Sequence, residues 1–466
     1  MQVALVNTNQ IKPPIAPIGL DYVAEVLNLS GHRVEVFDPS GGEPWESGLA
    51  GFFRGKEFGL IGVTLRNTDD CVFTSRQSFL SLFVHWVESV RRHTDAAIVL
   101  GGVGFSVTPE QILRLCPADA GIWGEGEFPF VELANRIRDR REWNDLPNLV
   151  WQHQGEWLRN PPFYSPLEQL PPMTRRWVDN PRYFREGGQA GIETKRGCPQ
   201  FCIYCADPVA KGNQIRTRPV RAVADELEAL LAQGIDHIHT CDSEFNIPLG
   251  HAQEVCEEII RRRLGERLRW YAYCAPVPFS SEFARAMREA GCAGINFGVD
   301  SGDEEMLRRL RRNFGPEDIL NTVRWCKEAG MAVMLDLLFG SPGESRESID
   351  HTVELMRRAE PDRVGVAIGV RVYPGTELSR QLLGKDGREG LVGGEDEFSP
   401  LFFLEPRVAP FIFDFLDTSI GDDPRFFFYN PSRPEKNYNY NANQRLQEAI
   451  RKGYRGAYWD ILRRYE

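Results

Sequence analysis

The chain has 466 residues, 42% hydrophobic and 26% charged, with a formal net charge of −11. That length suits two domains and a tail, the composition is that of an ordinary globular protein, and the acidity argues against general nucleic-acid binding. No apolar run reaches the roughly 18 residues that cross a bilayer. The opening MQVALVNTNQ reads as a strand rather than a secretory leader, so a cytoplasmic protein is expected.

Over residues 1–143 short apolar runs (QVALVN, RVEVFD, FGLIGVTL, AAIVLGG, AGIWGEGE) alternate with amphipathic stretches such as PIGLDYVAEVLNLSG and FVELANRIRD. Near-continuous apolar strands separated by helices predict a doubly wound parallel sheet, α/β in class. Ligands on such sheets bind at the carboxyl ends of the strands. Those ends carry Asn7-Thr8-Asn9, Arg66-Asn67-Thr68, Gly101-Gly102-Val103-Gly104 and Gly124-Glu125-Gly126-Glu127. The glycines either admit a large ligand close to the backbone or simply make turns. Residues 144–190 read as a linker, with a hairpin in LPNLVWQHQGEWLRN and a proline-rich passage, NPPFYSPLEQLPPM.

A second β/α series fills 191–384, with strands in GIETKRG, IDHIHTC, LRWYAYC, AGINFGV, MAVMLDLLFG and RVGVAIGVRV. Right-handed crossovers would curl six such units into a partial barrel with its chemistry at the strand C-termini. From 385 to 466 the pattern dissolves into aromatic stretches (FIFDFLD, RFFFYNPSRPEKNYNYNAN) and one final helix. This region is expected to form a lid over the core, with Tyr438, Tyr440 and Asn441 as candidate substrate contacts.

Ten cysteines are too few for a disulfide scaffold. Cys116, Cys241, Cys292 and Cys326 fall in apolar segments and read as small buried hydrophobes. The exception is KRGCPQFCIYC, where Cys198, Cys202 and Cys205 follow the first barrel strand. Structural zinc usually pairs two C-x2-C knuckles, and ferredoxin-type clusters take four cysteines. Three thiolates would instead hold three irons of a four-iron cluster and leave the fourth open; zinc or an ordinary loop are the competing readings.

C-x3-C-x2-C with an aromatic residue, Tyr204, before the third cysteine resembles the signature of radical S-adenosylmethionine (SAM) enzymes. The resemblance extends over about residues 190–380. It implies that the open iron chelates SAM, which an electron from the cluster splits to a 5′-deoxyadenosyl radical. It further implies that Asp242 and, first of the two, Glu244 in CDSEFN face the methionine amine. GVDSGDEEMLRRLRR looks like the family's G-x-E-S-G stretch near the ribose, with Asp300 where Glu is usual, Ser301 matching, and Arg312 aligned with a residue used for the SAM carboxylate. FGSPGES and VYPGTEL match stretches beside the adenine. The first 150 residues resemble the cobalamin-binding domain of one radical SAM subgroup, which includes methyltransferases of unactivated carbon or phosphorus, a cyclase and a ring-contraction enzyme. Gly101, Gly102, Gly124 and Glu125 are then corrinoid contacts. The D-x-H-x-x-G histidine that ligates cobalt in mutases is missing, the first histidine being His32. Arg66 or Asn67 is expected beneath the corrinoid instead.

The resemblance therefore implies a cobalamin-dependent radical SAM methyltransferase acting on a small molecule. One SAM would supply the methyl group, and a second would generate the radical that removes substrate hydrogen. A cyclase or rearrangement enzyme, or a non-catalytic iron–sulfur or corrinoid protein, are the rivals. Lys195 and Arg196 flank the cysteines and would either meet an acidic flavodoxin or ferredoxin or be ordinary surface charges or contacts within the loop.

Overall fold

The computed structural model describes residues 1–39, 44–384, 388–432, 440 and 443–465. Strands β1 (Gln2–Asn7), β2 (Arg33–Phe37), β3 (Leu60–Thr64), β4 (Ala97–Gly101) and β5 (Ala120–Ile122) are parallel in the order β2-β1-β3-β4-β5. Their side chains bury on both faces in two apolar layers, one around Trp86 and Phe83, the other around Tyr22 and Leu27. The hairpin β6 (Leu149–His153) and β7 (Glu156–Arg159) does not float in a linker. It pairs antiparallel with β5 and extends the first sheet to seven strands among the described residues. Leu149 and Val150 are fully buried there, so the hairpin covers an edge that β5 would otherwise expose.

The second sheet begins with β8 (Ala190–Ile192), followed by a two-stranded ribbon, β9 (Lys195–Arg196) and β10 (Arg216–Thr217). It continues through β11 (His237–Thr240), β12 (Arg269–Cys274), β13 (Cys292–Asp300), β14 (Ala332–Phe339) and β15 (Arg363–Ile368), all parallel and adjacent in chain order. The six expected strands thus form the open barrel. Alternate residues of each strand (Ile238; Trp270, Ala272; Ile295, Phe297; Val333, Leu335) pack outward against the helices, and those between them face the lumen. A small sheet, β16 (Val370–Arg371), β17 (Leu391–Gly393) and β18 (Leu401–Phe403), caps one side.

The tail departs from expectation. It contributes β19 (Phe426–Phe427), which pairs with β15, and its last helices plug the barrel rather than cover its mouth. Leu446, Ala449 and Ile450 of one helix (Gln444–Arg451) and Ile461 and Leu462 of the next (Tyr458–Tyr465) pack on Tyr271, Ala332 and Met334. A Cβ at Gly294 would stand 2.9 Å from the Trp459 ring, and the Tyr271 hydroxyl donates to Asp460 at 2.7 Å. Ala332 and Gly294 sit at the amino ends of their strands, opposite the cysteine loop. The amphipathic helices must bury their apolar stripe, and the bottom of the barrel supplies the surface. Among the described residues no helix is long and apolar enough to cross a membrane.

Domain and barrel are joined by buried charge. Arg175 donates to Asp21 (2.9 Å) on α1 (Ile18–Leu29), to Glu226 (2.9 Å) on α2 (Val220–Ala232), and to the Gly191 carbonyl (2.7 Å) on β8. Arg218 donates to the other Glu226 oxygen (2.6 Å) and to the Tyr22 hydroxyl (2.8 Å). The Arg175, Asp21, Glu226 and Arg218 side chains are 0%, 1%, 0% and 2% exposed. Removing one member strands the others without water. Arg175→Ala should therefore lower the unfolding free energy by about 3–5 kcal/mol, read as a lower midpoint in chemical denaturation.

Candidate functional site

Cys198, Cys202 and Cys205 lie in the loop after β9, with Cys198 and Cys205 close enough to Cys202 for their charges to interact. Burial pushes all three thiols up, Cys202 to about 11, so ionisation awaits the charge of a bound metal. Among the described residues no three His, Cys, Asp or Glu side chains group closely enough to hold a single ion. A four-iron cluster sets its ligands further apart than one ion does, and three cysteines suit it. Arg312 donates to Cys202 Sγ at 2.8 Å and to the Gly298 carbonyl, with its Nε 3.4 Å from Asp300. Tyr204 donates to Asp300 at 2.7 Å. β13 shifts register between Gly298 and Asp300, and Asp300 takes a left-handed φ of 63°. That kink swings its shorter side chain onto Tyr204 and Arg312.

Two expected SAM contacts have other partners. Asp242 accepts from the Thr194 amide (2.9 Å), the Thr194 hydroxyl (2.6 Å) and the Lys195 amide (3.2 Å), so it shapes the start of the cysteine loop. The Ser301 hydroxyl, 2% exposed, lies 3.0 Å from that of Thr352 and accepts from the Asp303 amide, closing the turn after β13. Glu244 is different. Burial pushes it up to about 7 against the pull of Arg312 and Lys195, and its carboxylate faces the cysteines.

Lys195 and Arg196 are not a docking surface, being 2% and 8% exposed. Arg196 forks onto both Glu127 oxygens (2.6 and 3.1 Å) and reaches Glu193 (2.9 Å). Glu125 pairs with Arg216 and lies 3.8 Å from Arg196. The first domain presents acids at its strand ends, and these charges neutralise them across the interface.

That interface borders a cavity of about 170 Å³ at the carboxyl ends of β3, β4 and β5, lined by Gly62, Gly101, Gly102, Gly124, Gly126 and Glu125 among others. A Cβ at Gly101 would meet only the Ile122 carbonyl, at 3.6 Å, and one at Gly19 would meet nothing within 4 Å. Side chains at those two positions would project into open space, so Gly101 and Gly19 leave a cradle for a large ligand. Gly102 is glycine for another reason: its φ is 102°, and a Cβ would lie 2.4 Å from the Leu65 carbonyl. Arg66 donates to Asn67 at 2.7 Å, and its charge reaches the phenols of Tyr273 and Tyr458 across the cleft. The Arg66 loop thus lies between the first domain and the barrel lumen.

Of the candidate substrate contacts, Tyr440 joins a group of lumen residues that the sequence does not single out. Tyr273, Asn296 and Asp336 project inward from β12, β13 and β14, and Tyr440 and Tyr458 reach them from the tail with ring centroids 5.5 Å apart. Tyr438 and Asn441 lie outside the described residues. The available signal was polarity in an apolar strand: Asp336 is the one charge in AVMLDLLF.

An open barrel with a three-cysteine loop, joined to a glycine-cradled parallel sheet, defines a two-cofactor enzyme of the cobalamin and radical SAM class. Residues 4–134 match the B12 binding domain model and residues 192–356 the Radical SAM superfamily model. The chain is 35% identical over 443 residues to the tryptophan 2-C-methyltransferase of Streptomyces laurentii, an alignment spanning 82% of this chain and 74% of the relative. It superposes on the radical SAM methyltransferase TsrM of Kitasatospora setae, solved with tryptophan and aza-SAM, with a TM-score of 0.92 and 31% identity, covering 100% of this chain and 97% of that one. The cobalamin-dependent SAM radical enzyme OxsB shares the fold at a TM-score of 0.74 and 17% identity, covering 96% of this chain and 71% of its own. The chain belongs to the cobalamin-dependent radical SAM enzymes and is a methyltransferase of that family, using a [4Fe–4S] cluster, SAM and cobalamin.

Variants at the cysteine loop and at Gly101 separate the cofactor sites. Changing Cys198, Cys202 or Cys205 to Ala should abolish the iron–sulfur absorbance of reconstituted protein, whereas Cys116→Ala and Cys326→Ala should retain it. Gly101→Leu, at an ordinary strand φ, should fold and keep the cluster but fail to retain hydroxocobalamin through gel filtration. Stoichiometric corrinoid in that variant would remove the cradle from the cofactor's path.

Proposed function

We propose that this enzyme methylates a ring carbon of a small aromatic amino acid or amine, with an indole as the leading type. Cys198, Cys202 and Cys205 hold the cluster. Glu244, Asp300 and Arg312 would frame SAM beside it, the Gly101–Gly102 and Gly124–Glu125 turns would hold the cobalamin, and Arg66 or Asn67 would contact it from the neighbouring loop. SAM supplies the methyl group, and cobalamin is the carrier that delivers it. The chain's own residues hold the acceptor beneath that carrier and keep water from the transfer. The observation that carries the substrate reading is the aromatic cup of Tyr273, Tyr440 and Tyr458. Tyr273 keeps 43% of its surface accessible while projecting into the lumen, as a ring does when a flat ligand is its missing neighbour. Full-length likeness to an enzyme solved with tryptophan supports the same reading.

An indole carbon is more nucleophilic than the unactivated carbon expected from the sequence, so the acceptor's chemistry does not itself require hydrogen abstraction. With Lys195 and Arg196 buried, a flavodoxin or ferredoxin delivering electrons would dock on another face, and a cytoplasmic setting suits such a partner.

The test uses reconstituted holoenzyme, a reductant, tryptophan and SAM carrying a deuterated methyl group. The label should appear intact in methylated product, with S-adenosylhomocysteine accumulating alongside. A yield of 5′-deoxyadenosine matching that product would establish the radical route, and its absence the polar one. Tryptophan left unmodified would sink the substrate reading, and tryptophan modified without label would sink methyl transfer.

A further inference from the structure

Resting on the aromatic-acceptor reading, we propose that Asp336 and Asn296 form an acceptor subsite in the barrel lumen that binds the ammonium group of the methyl acceptor and thereby selects amine-bearing substrates.

Asp336 stands midway along β14, where its register neighbours on both flanking strands are glycines, Gly298 on β13 and Gly365 on β15. The gap is needed, since a Cβ at Gly365 would lie 2.3 Å from Asp336 Oδ1. The carboxylate thus occupies a notch cleared in the barrel wall. Asn296 donates to Asp336 Oδ2 at 2.8 Å. That bond fixes the amide so that its oxygen is free, and Asn296 Oδ1 is a buried acceptor with no partner, on a residue only 4% exposed. A buried carbonyl oxygen is rarely left unsatisfied, and such an atom beside a carboxylate on the inner face of the barrel points to a donor on the ligand.

The donor's charge follows from the neighbours. A carboxylate and an amide oxygen side by side offer only acceptors, and the surrounding phenols of Tyr273 and Tyr440 add electron-rich ring faces. The carboxylate is desolvated, and burial pushes it up to about 6, with the Asp300 charge adding to the rise. A neutral N–H would satisfy Asn296 and leave Asp336 unpaired. An ammonium satisfies both, donating to the two oxygens while neutralising the charge. Arg66 of the first domain pairs with Asn67, and its charge reaches the Tyr273 phenol, whereas the charge felt by Asp336 is that of Asp300. The Asp336 notch is therefore left to the substrate.

The experiment measures equilibrium binding by calorimetry to cluster- and cobalamin-loaded enzyme. The probes are tryptophan, tryptamine, tyramine and the deaminated analogue indole-3-propionate, with wild type, Asp336→Asn and Asn296→Ala. Asp336→Asn preserves shape and removes a buried charge, so it should fold with an unchanged circular dichroism spectrum and cluster content. Wild type should prefer tryptophan and tryptamine to indole-3-propionate by about 100-fold, and Asp336→Asn should reduce that ratio to below about 10-fold. In turnover the same variant should raise KM for tryptophan far more than it lowers kcat. If tyramine binds and the indoles do not, the ammonium subsite stands and the indole reading falls. If wild type binds no amine better than the deaminated analogue, or if Asp336→Asn leaves the ratio unchanged, the subsite proposal is overturned while methyl transfer from SAM is untouched.

Discussion

A neutral, waterless set of charges governs the arrangement of this enzyme. Arg175 and Arg218 face Asp21 and Glu226, with the Tyr22 hydroxyl donating to Glu226 at 2.8 Å. The first domain supplies Asp21 and Tyr22, the barrel Glu226 and Arg218, and the segment between them Arg175. Apolar contact is non-directional and tolerates sliding, whereas directional, charge-assisted guanidinium–carboxylate bonds define one alignment. A second pair of latches, Arg196 on Glu127 and Arg216 on Glu125, sits at the rim of the glycine cradle. Methyl transfer between two cofactors and an acceptor needs this kind of fixed separation, since misplacement of reacting groups costs rate steeply.

The same economy of residues appears at the cysteine loop. Asp242 and Ser301 are spent on backbone amides and hydroxyls, holding the loop and the turn that bring Glu244, Asp300 and Arg312 into one small space. Arg312 bridges the carboxylates and a cysteine sulfur, so that a change in one charge is felt by the others. The lumen below continues the pattern. Its floor is sealed by tail helices through Trp459 and Tyr271, and its polar groups are few, with each set on a different strand.

Much of this was legible before any coordinates. Near-continuous apolar strands between amphipathic helices announced both α/β units, and the spacing of three cysteines pointed to the cluster. The glycines at the ends of β4 and β5 marked the cradle, although sequence left turns as an equal reading. The errors share one cause. Local sequence leaves Lys195 and Arg196 open as a docking surface, solvated charges or loop contacts; Arg196 does meet Glu193 nearby, but the acid Glu127 on a distant strand end is what buries it. The hairpin read as linker became part of the first sheet, and the lid became a plug, because an edge and an open barrel end each offered apolar surface that local pattern does not report.

Periodicity and motif spacing are local properties of the chain, and by themselves they determined its α/β class and a three-cysteine loop of metal-ligand spacing, while the resemblance of those motifs to a known family supplied the cofactors. Tertiary structure alone decided which ionisable groups face each other: Asp336 with Asn296 forty residues earlier, Tyr440 with Tyr458 against Tyr273, and Arg175 with Asp21. Such pairings depend on the register of neighbouring strands and the docking of separate domains. Those are fixed by the packing of the whole core, which no short window of sequence contains.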